Sequence, residues 1–460
     1  MTTAALLRYF QFKALLQAEG WLSPAYVCVD EAGVIQSISK DPPDIPIAVE
    51  FVNGYALPGF QNSHSHAFQF AMAGMAEKHP EGASDDFWSW REAMYGCALS
   101  IDPDELEGVA GMLYKEMLRN GYTHVAEFHY LHHDKNGKAY ANKAELGERL
   151  LAAAGTAGIK ITLVPVFYQK GNFGQEPNQR QRRFISQTLD DYFELLDVSA
   201  SAVVKYDNAL LGFGVHSLRT VNEKDAILTF QQGPRGIPFH LHAAEQLKEV
   251  DDCIDHLKQR PIEWLLDHMP VDDRFNIVHG THMNDDEVRR LAYSKANVVL
   301  CPGTEGNLGD GIFRLTDYAA HNGRWSIGTD SHISLNPLED LRWLDYAQRL
   351  TTHKRNTFSN GAMRQVDMTL NSGRSAMGTS NLSFFSVGKP LDAVVYNAES
   401  PLIMQGDLKF ALQSIIYTAD SASTLGTIVN GSWVIKHQHH QNGVAIFKSF
   451  EKAISRLADR

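Results

Sequence analysis

The stretch PGFQNSHSHAFQ (58–69) ends an apolar run in two histidines spaced by one residue. Side chains alternate along a strand, so His64 and His66 share a face, and two imidazoles there can chelate one metal ion. An isolated HxH is common and is more often a solvated pair in a loop; this one gains weight from the company it keeps along the chain. Strand-like runs recur at 55–66, 123–128, 161–167, 210–216, 237–242, 275–279, 297–301 and 325–330, separated by helix-length segments. Eight short strands alternating with helices predict an α/β fold of the (β/α)8 TIM-barrel type.

These runs end in polar residues: His64 and His66, Glu127, His216, His242, His279 and Asp330. A barrel strand is buried along most of its length and opens at its C-terminal end into the active-site mouth, so ionisable groups gathered there imply chemistry. IPFHLHAAEQ (237–246) puts His242 at a strand end with Glu245 three residues on, a nitrogen ligand beside a carboxylate. His240, two residues deeper, is the weaker ligand candidate. FNIVHG (275–280) supplies His279, and RWSIGTDSH (324–332) supplies Asp330, which alone would read as a helix cap. The order HxH, HxxE, His, Asp over four strand ends carries more than any single piece.

Before and after the barrel the pattern is β-rich. Residues 25–39 read as a hairpin, and 391–397 and 427–436 as strands, so a small β-sandwich domain built from both termini is expected. The expected division is 1–57 and 376–460 for that domain and 58–375 for the barrel.

The formal charge of -12 and the lack of a basic run argue against nucleic acid as a partner. No stretch has the length and apolarity of a membrane span, and no basic-then-apolar leader is visible. Four scattered cysteines without a CxxC pair exclude the usual thiolate zinc pattern and suit a reducing, cytoplasmic setting.

The ordered set resembles the amidohydrolase superfamily, in particular its mononuclear-metal deaminase branch. That resemblance implies one divalent ion, zinc foremost with iron or manganese as alternatives, held by His64, His66, His242 and Asp330. The dinuclear branches use a carbamylated lysine at the fourth strand; here that strand ends in His216, which favours one metal. The catalytic roles implied fall to Asp330 as proton acceptor, Glu245 as proton carrier, and His279 as the group holding the attacking water or developing charge. The stretches NSHSHAFQFAMAGMAE (62–77), DDFWSWREAMY (85–95), AEFHYLHHD (126–134), GFGVHSLRT (212–220), GNLGDGIF (306–313) and LRWLDYAQRL (341–350) are similar to the formimidoylglutamate deiminase family. The similarity runs through nearly the whole chain, with HAFQ and FWSWR its most specific parts.

That family acts on C–N bonds in a linear amidine: N-formimidoyl-L-glutamate becomes N-formyl-L-glutamate and ammonia in histidine degradation. By motif, Gln69 would lie beside the formimidoyl group, and Arg91, Tyr130, His216 and Arg219 would hold the glutamate part. Guanidinium forks suit a dicarboxylate. The family's pattern has a basic residue after HAFQ, where this chain has Phe70. Relatives of this kind imply a homodimer. The competing expectations are a deaminase of a nucleobase or other cyclic amidine on the same scaffold, and a non-catalytic barrel closed around a structural metal. KHQHHQ (436–441) reads as a solvated run, His132 and His133 as loop residues, GDGIF (309–313) as a mobile loop near the mouth, and FWSW (87–90) as partly core.

Overall fold

The computed structural model describes residues 7–457 except 45–47, 78–86, 356, 360, 380–382 and 405, and leaves out the Trp88 side chain. Eight strands pair in parallel in chain order: β1 (Phe60–Ser65), β2 (Tyr122–His129), β3 (Lys160–Phe167), β4 (Phe213–Ser217), β5 (Phe239–Ala243), β6 (Phe275–His279), β7 (Asn297–Leu300) and β8 (Arg324–Ile327). Every residue of β1, β2, β5, β6 and β7 is buried, as expected of strands covered by helices on one side and by one another on the other.

The barrel closes where β8 meets β1. The N–H groups of Thr329 and Asp330 both donate to the His64 carbonyl at 3.0 Å, and the His66 N–H donates to the Asp330 carbonyl at 3.3 Å. A parallel bridge joins Ser65 to Asp330. The seam is therefore built from the HxH segment and the turn after β8.

One expected strand divides. Val49–Pro58 belongs to a second sheet, and the barrel strand begins only at Phe60. The break falls at Gly59, where a Cβ would overlap the Thr123 side chain of β2. The fourth run divides likewise, Ala209–Leu211 pairing with β3 ahead of β4.

The second sheet has nine strands drawn from both termini. Its path runs His439–His440, Ser432–Lys436, Thr424–Val429, Ala393–Asn397, Val49–Pro58, Arg8–Gln17, Ala25–Val29 and Ile35–Ser39, with Gly20–Leu22 paired to Arg8–Gln17. The expected 25–39 hairpin forms, turning through Gly33 at φ +77. Phe10, Phe12, Val27, Ile35, Val395 and Ile428 are part of a separate apolar core beneath it. A helix not anticipated from the β-rich C-terminal pattern, Gly443–Arg456, leaves this sheet and packs on the barrel helix Pro103–Arg119. Gly108 permits the approach, since a Cβ there would come within 2.8 Å of the Ser449 carbonyl.

KHQHHQ forms a tight two-stranded hairpin, with His439 exposed and His440 donating to the Ala157 carbonyl at 2.7 Å. Phe87 is buried and Trp90 half-buried, in keeping with a partly core FWSW segment; Trp88 falls outside the described side chains. No described helix is long and apolar enough to cross a membrane.

His124 and His129 of β2 are buried, and burial lowers each to a pKa of about 3. In the unfolded chain each takes a proton near pH 6.5, while in the fold it stays neutral. Their contribution is intact above pH 6.5 and is lost as pH falls from there toward 3. The loss approaches about 1.4 kcal/mol per pH unit for each histidine. Urea midpoints at pH 7, 6 and 5 should fall accordingly, and His129→Leu should fall less steeply than the wild type.

Candidate functional site

The polar strand ends meet at the C-terminal mouth of the barrel. His64 and His66 project from the end of β1 on one face, His242 comes from β5, and Asp330 from the turn after β8; all four are buried. Nε2 of His64 lies 3.0 Å from Nε2 of His66 and 3.0 Å from Nε2 of His242. Oδ1 of Asp330 is 3.2 Å from His66 Nε2 and 3.5 Å from His64 Nε2.

The backbone decides which nitrogens carry protons. Nδ1 of His66 faces the Phe128 carbonyl, and Nδ1 of His242 faces the His216 carbonyl, each at 3.0 Å. A carbonyl only accepts, so both Nδ1 atoms are protonated and both neutral rings present a bare Nε2 lone pair to His64. A single proton on His64 Nε2 cannot serve both. Bonds of about 2.1 Å to one ion, at a right angle, put two nitrogens about 3.0 Å apart. Three imidazoles and a carboxylate so arranged fit a divalent metal ion, and these four residues form one of two groups with metal-binding geometry among the described residues.

Charge reinforces this. Burial and the neighbouring His66 lower His64 to a pKa of about 3, and burial with His64 and His216 holds His242 well below the ordinary value. Both stay neutral, as ligands must. Burial works against ionisation of Asp330, yet the adjacent imidazoles of His64 and His66 outweigh it and hold its carboxyl well below the usual range.

A second tier surrounds the cluster. Nε2 of His279 is 3.6 Å from Glu245 Oε1 and 3.7 Å from Asp330 Oδ2. Burial opposes charge on His279, but Glu245, the hydrogen bond to Glu305 and Asp330 push its pKa up to about 10, so the ring is a cation at neutral pH. Burial raises Glu245, offset in part by His279 and Arg219, whose Nη2 lies 3.6 Å from Glu245 Oε2. Several hinge residues here are non-glycine with left-handed φ: Ala244 at +55, His279 at +71, Asp330 at +48 and His332 at +66. Strain of this kind persists only where surrounding contacts impose it and gathers at functional sites.

The pocket over this cluster is lined by Gln69, Arg91, Tyr130, His216 and Arg219, all five side chains expected to face substrate. Gln69 Nε2 donates to the Tyr130 hydroxyl at 3.0 Å. Arg91, on helix Phe87–Ser100, donates from Nε to the Tyr95 hydroxyl at 2.8 Å. Phe70 turns away, its ring 5.9 Å from Phe450 of the last helix and 6.3 Å from His332, so the departure after HAFQ serves packing.

Sequence reasoning missed three contributors. Tyr168 lines the pocket one residue past β3, where the strand-end rule points if extended by a residue. Glu127 was visible at its strand end without a role; it accepts from Ser65 Oγ at 2.7 Å and the Ala67 N–H at 2.6 Å, bracketing His66. Glu305, bonded to His279, has no signal in the sequence, since it lies in a short helix after β7.

The family model described as the amidohydrolase family matches residues 55–434. This chain belongs to the amidohydrolase family. It is 39% identical over 455 residues to a formimidoylglutamate deiminase of Pseudomonas aeruginosa, covering 98% of this chain and 99% of that one. Among solved structures it is similar to an amidohydrolase from Brucella melitensis, with TM-score 0.90 and 37% identity over 98% of this chain and 100% of that one. An adenosine deaminase from Xanthomonas campestris with bound zinc shares the fold, at TM-score 0.81 and 20% identity over 98% of both chains. As an amidohydrolase the chain is a C–N hydrolase, and its buried His–His–His–Asp group is a divalent-metal site.

Gly328 leaves no room for a side chain: a Cβ would lie 2.8 Å from His64 Cβ and 2.9 Å from its N and O. Gly328→Ala should therefore push β1 and β8 apart, cost about 1–3 kcal/mol in stability, and lower bound metal per chain. Thermal midpoint and atomic absorption after gel filtration check both effects.

Proposed function

We propose that this enzyme hydrolyses N-formimidoyl-L-glutamate to N-formyl-L-glutamate and ammonia, the deimination step of histidine degradation, with zinc as its ion. The observation that carries the reading is two arginines, Arg91 and Arg219, in a pocket directly over the metal cluster. A neutral heterocycle has no use for two guanidinium groups, whereas a dicarboxylate pairs with both. The end-to-end similarity to a formimidoylglutamate deiminase supports the same reading.

A zinc ion held by His64, His66, His242 and Asp330 would supply a Lewis acid and a water-derived nucleophile near neutral pH. Asp330 takes the proton of the attacking water. Glu245 passes a proton to the amidine nitrogen as the C–O bond forms and the C=N bond becomes single. That amine then takes the proton held by Asp330, the C–N bond breaks to release ammonia, and the hydroxyl proton returns to Glu245 as the C–O bond becomes the formyl C=O. The cationic His279 faces the developing negative charge. Arg219, beside Glu245, takes the carboxylate nearer the reacting nitrogen; Arg91, held by Tyr95, takes the farther one. Gln69 lies beside the formimidoyl group, and Tyr130 and His216 hold the glutamate side. Four free, buried cysteines fit a reducing cytoplasm.

Ammonia release from formimidoylglutamate, formimidoylglycine and guanine tests the reading. The dicarboxylate should be the preferred substrate by kcat/KM; preference for guanine would overturn it. Arg91→Met and Arg219→Met should each raise KM by roughly 10- to 100-fold, the worth of one charged hydrogen-bond pair. Asp330→Asn should abolish turnover at every substrate concentration, and dialysis against a chelator should do the same until zinc is restored.

A further inference from the structure

His279 ends β6 with its Nε2 buried and without a hydrogen-bond partner among the described residues. The 3.6 Å to Glu245 and 3.7 Å to Asp330 are too long for direct hydrogen bonds, so Nε2 faces both carboxylates without pairing with either. What the ring contributes therefore depends on where Nε2 points. Half a turn about Cβ–Cγ would put carbon in its place.

The opposite nitrogen decides that rotation. Nδ1 lies 3.2 Å from Oε1 of Glu305, and since a carboxylate only accepts, Nδ1 carries the proton. Glu305 is itself fixed: the same Oε1 accepts the Cys301 N–H at 2.8 Å, from the backbone just past β7. Pro302–Leu308, the helix that carries it, starts at that point, so the side chain reaches back over its own first turn. The chain is backbone to carboxylate to imidazole to the reacting centre, the logic by which a third group orients a catalytic base.

We propose that Glu305 is a positioning residue for the reaction, holding the His279 ring so that Nε2 faces the gap between Glu245 and Asp330. The inference rests on the functional reading above, which places the reacting atoms in that gap. His279, Cys301 and Glu305 also have the spacing of a metal-binding group. The hydrogen bond at Nδ1, and burial that pushes the Cys301 thiol well above its ordinary value, make this a hydrogen-bonded strut and not a second ion site.

The test compares kcat, KM and metal per chain in zinc-loaded wild type, Glu305→Leu, Glu305→Gln, His279→Gln and the double variant His279→Gln/Glu305→Leu. Glu305→Leu should lose about 100-fold in kcat, the scale of a misplaced catalytic group, with KM and metal content unchanged. Glu305→Gln keeps an oxygen for both donors and should recover to within about tenfold of wild type. The double variant should be no slower than His279→Gln alone, because Glu305 acts only through that ring.

A Glu305→Leu kcat within threefold of wild type, a loss confined to KM or metal content, additive losses in the double variant, or two metals per wild-type chain would each overturn the proposal. If Glu305→Leu does not fold, Glu305→Gln decides: a loss beyond 100-fold overturns it. Wild-type turnover is measured first. Its absence overturns the functional reading and this one together; wild-type turnover with an unimpaired Glu305→Leu overturns this one alone.

Discussion

Three imidazole nitrogens, one lying 3.0 Å from each of two others that backbone carbonyls force to present bare lone pairs, are the constraint on which this molecule turns. In a buried site such an arrangement is costly without a cation and favourable with one. The carbonyls come from β2 and β4, strands whose ladders to β1 and β5 shift register as they reach the site, between Asn62 and Ser65 and between Gly214 and Ser217. The barrel's hydrogen bonding thus dictates the tautomers, and the tautomers dictate what the site binds. Metal binding and folding are linked through the same atoms, so the ion stabilises the closed barrel by mass action.

Closure of the barrel obeys the same economy of parts. Asn62 of β1 donates to Thr329 Oγ1 at 2.8 Å and accepts the Thr329 N–H at 3.0 Å. Thr329 Oγ1 lies 3.0 Å from Nδ1 of His332, whose Nε2 donates to the His66 carbonyl at 3.0 Å. Burial lowers His332 to a pKa of about 3, which keeps it neutral and lets one ring nitrogen accept while the other donates. This loop of bonds runs from the first strand to the turn after the last and back. It holds Asp330 in its left-handed conformation opposite the two histidines, where an unsupported turn would relax.

How much of this is written in the sequence depends on what each feature rests upon. Strand ends are legible because a short apolar run terminated by an ionisable residue is a local pattern, and His64, His66, His242, His279 and Asp330 all announce themselves so. Boundaries are less legible: Gly59 splits one run between two sheets because of a packing clash with Thr123, a residue sixty-four positions away in the chain. The C-terminal helix hides behind a β-rich composition, since its apolar face is matched to a helix more than three hundred residues earlier. Glu305 is least legible of all. Its importance lies in which atom it touches, and no periodicity encodes a contact between a short helix and a neighbouring strand end.

The net charge of the chain and the charge of its pocket point in opposite directions, and the difference is informative. The protein carries -12 overall, a field that repels a dianion at long range. Within the site, His279 lies beside Glu245, Glu305 and Asp330, and Arg219 beside Glu245, while Arg91 lines the same pocket. Arg219 and Arg91 bring two positive charges to the pocket, the number a dicarboxylate carries in the opposite sense. Burial sharpens this match, because Arg219 and Glu245 are almost wholly shielded from water and screen each other poorly against a third charge. A neutral amidine would enter the same site with those two charges unmatched. Selection between substrates is therefore written in the charge of the pocket, over and above the shape of its walls.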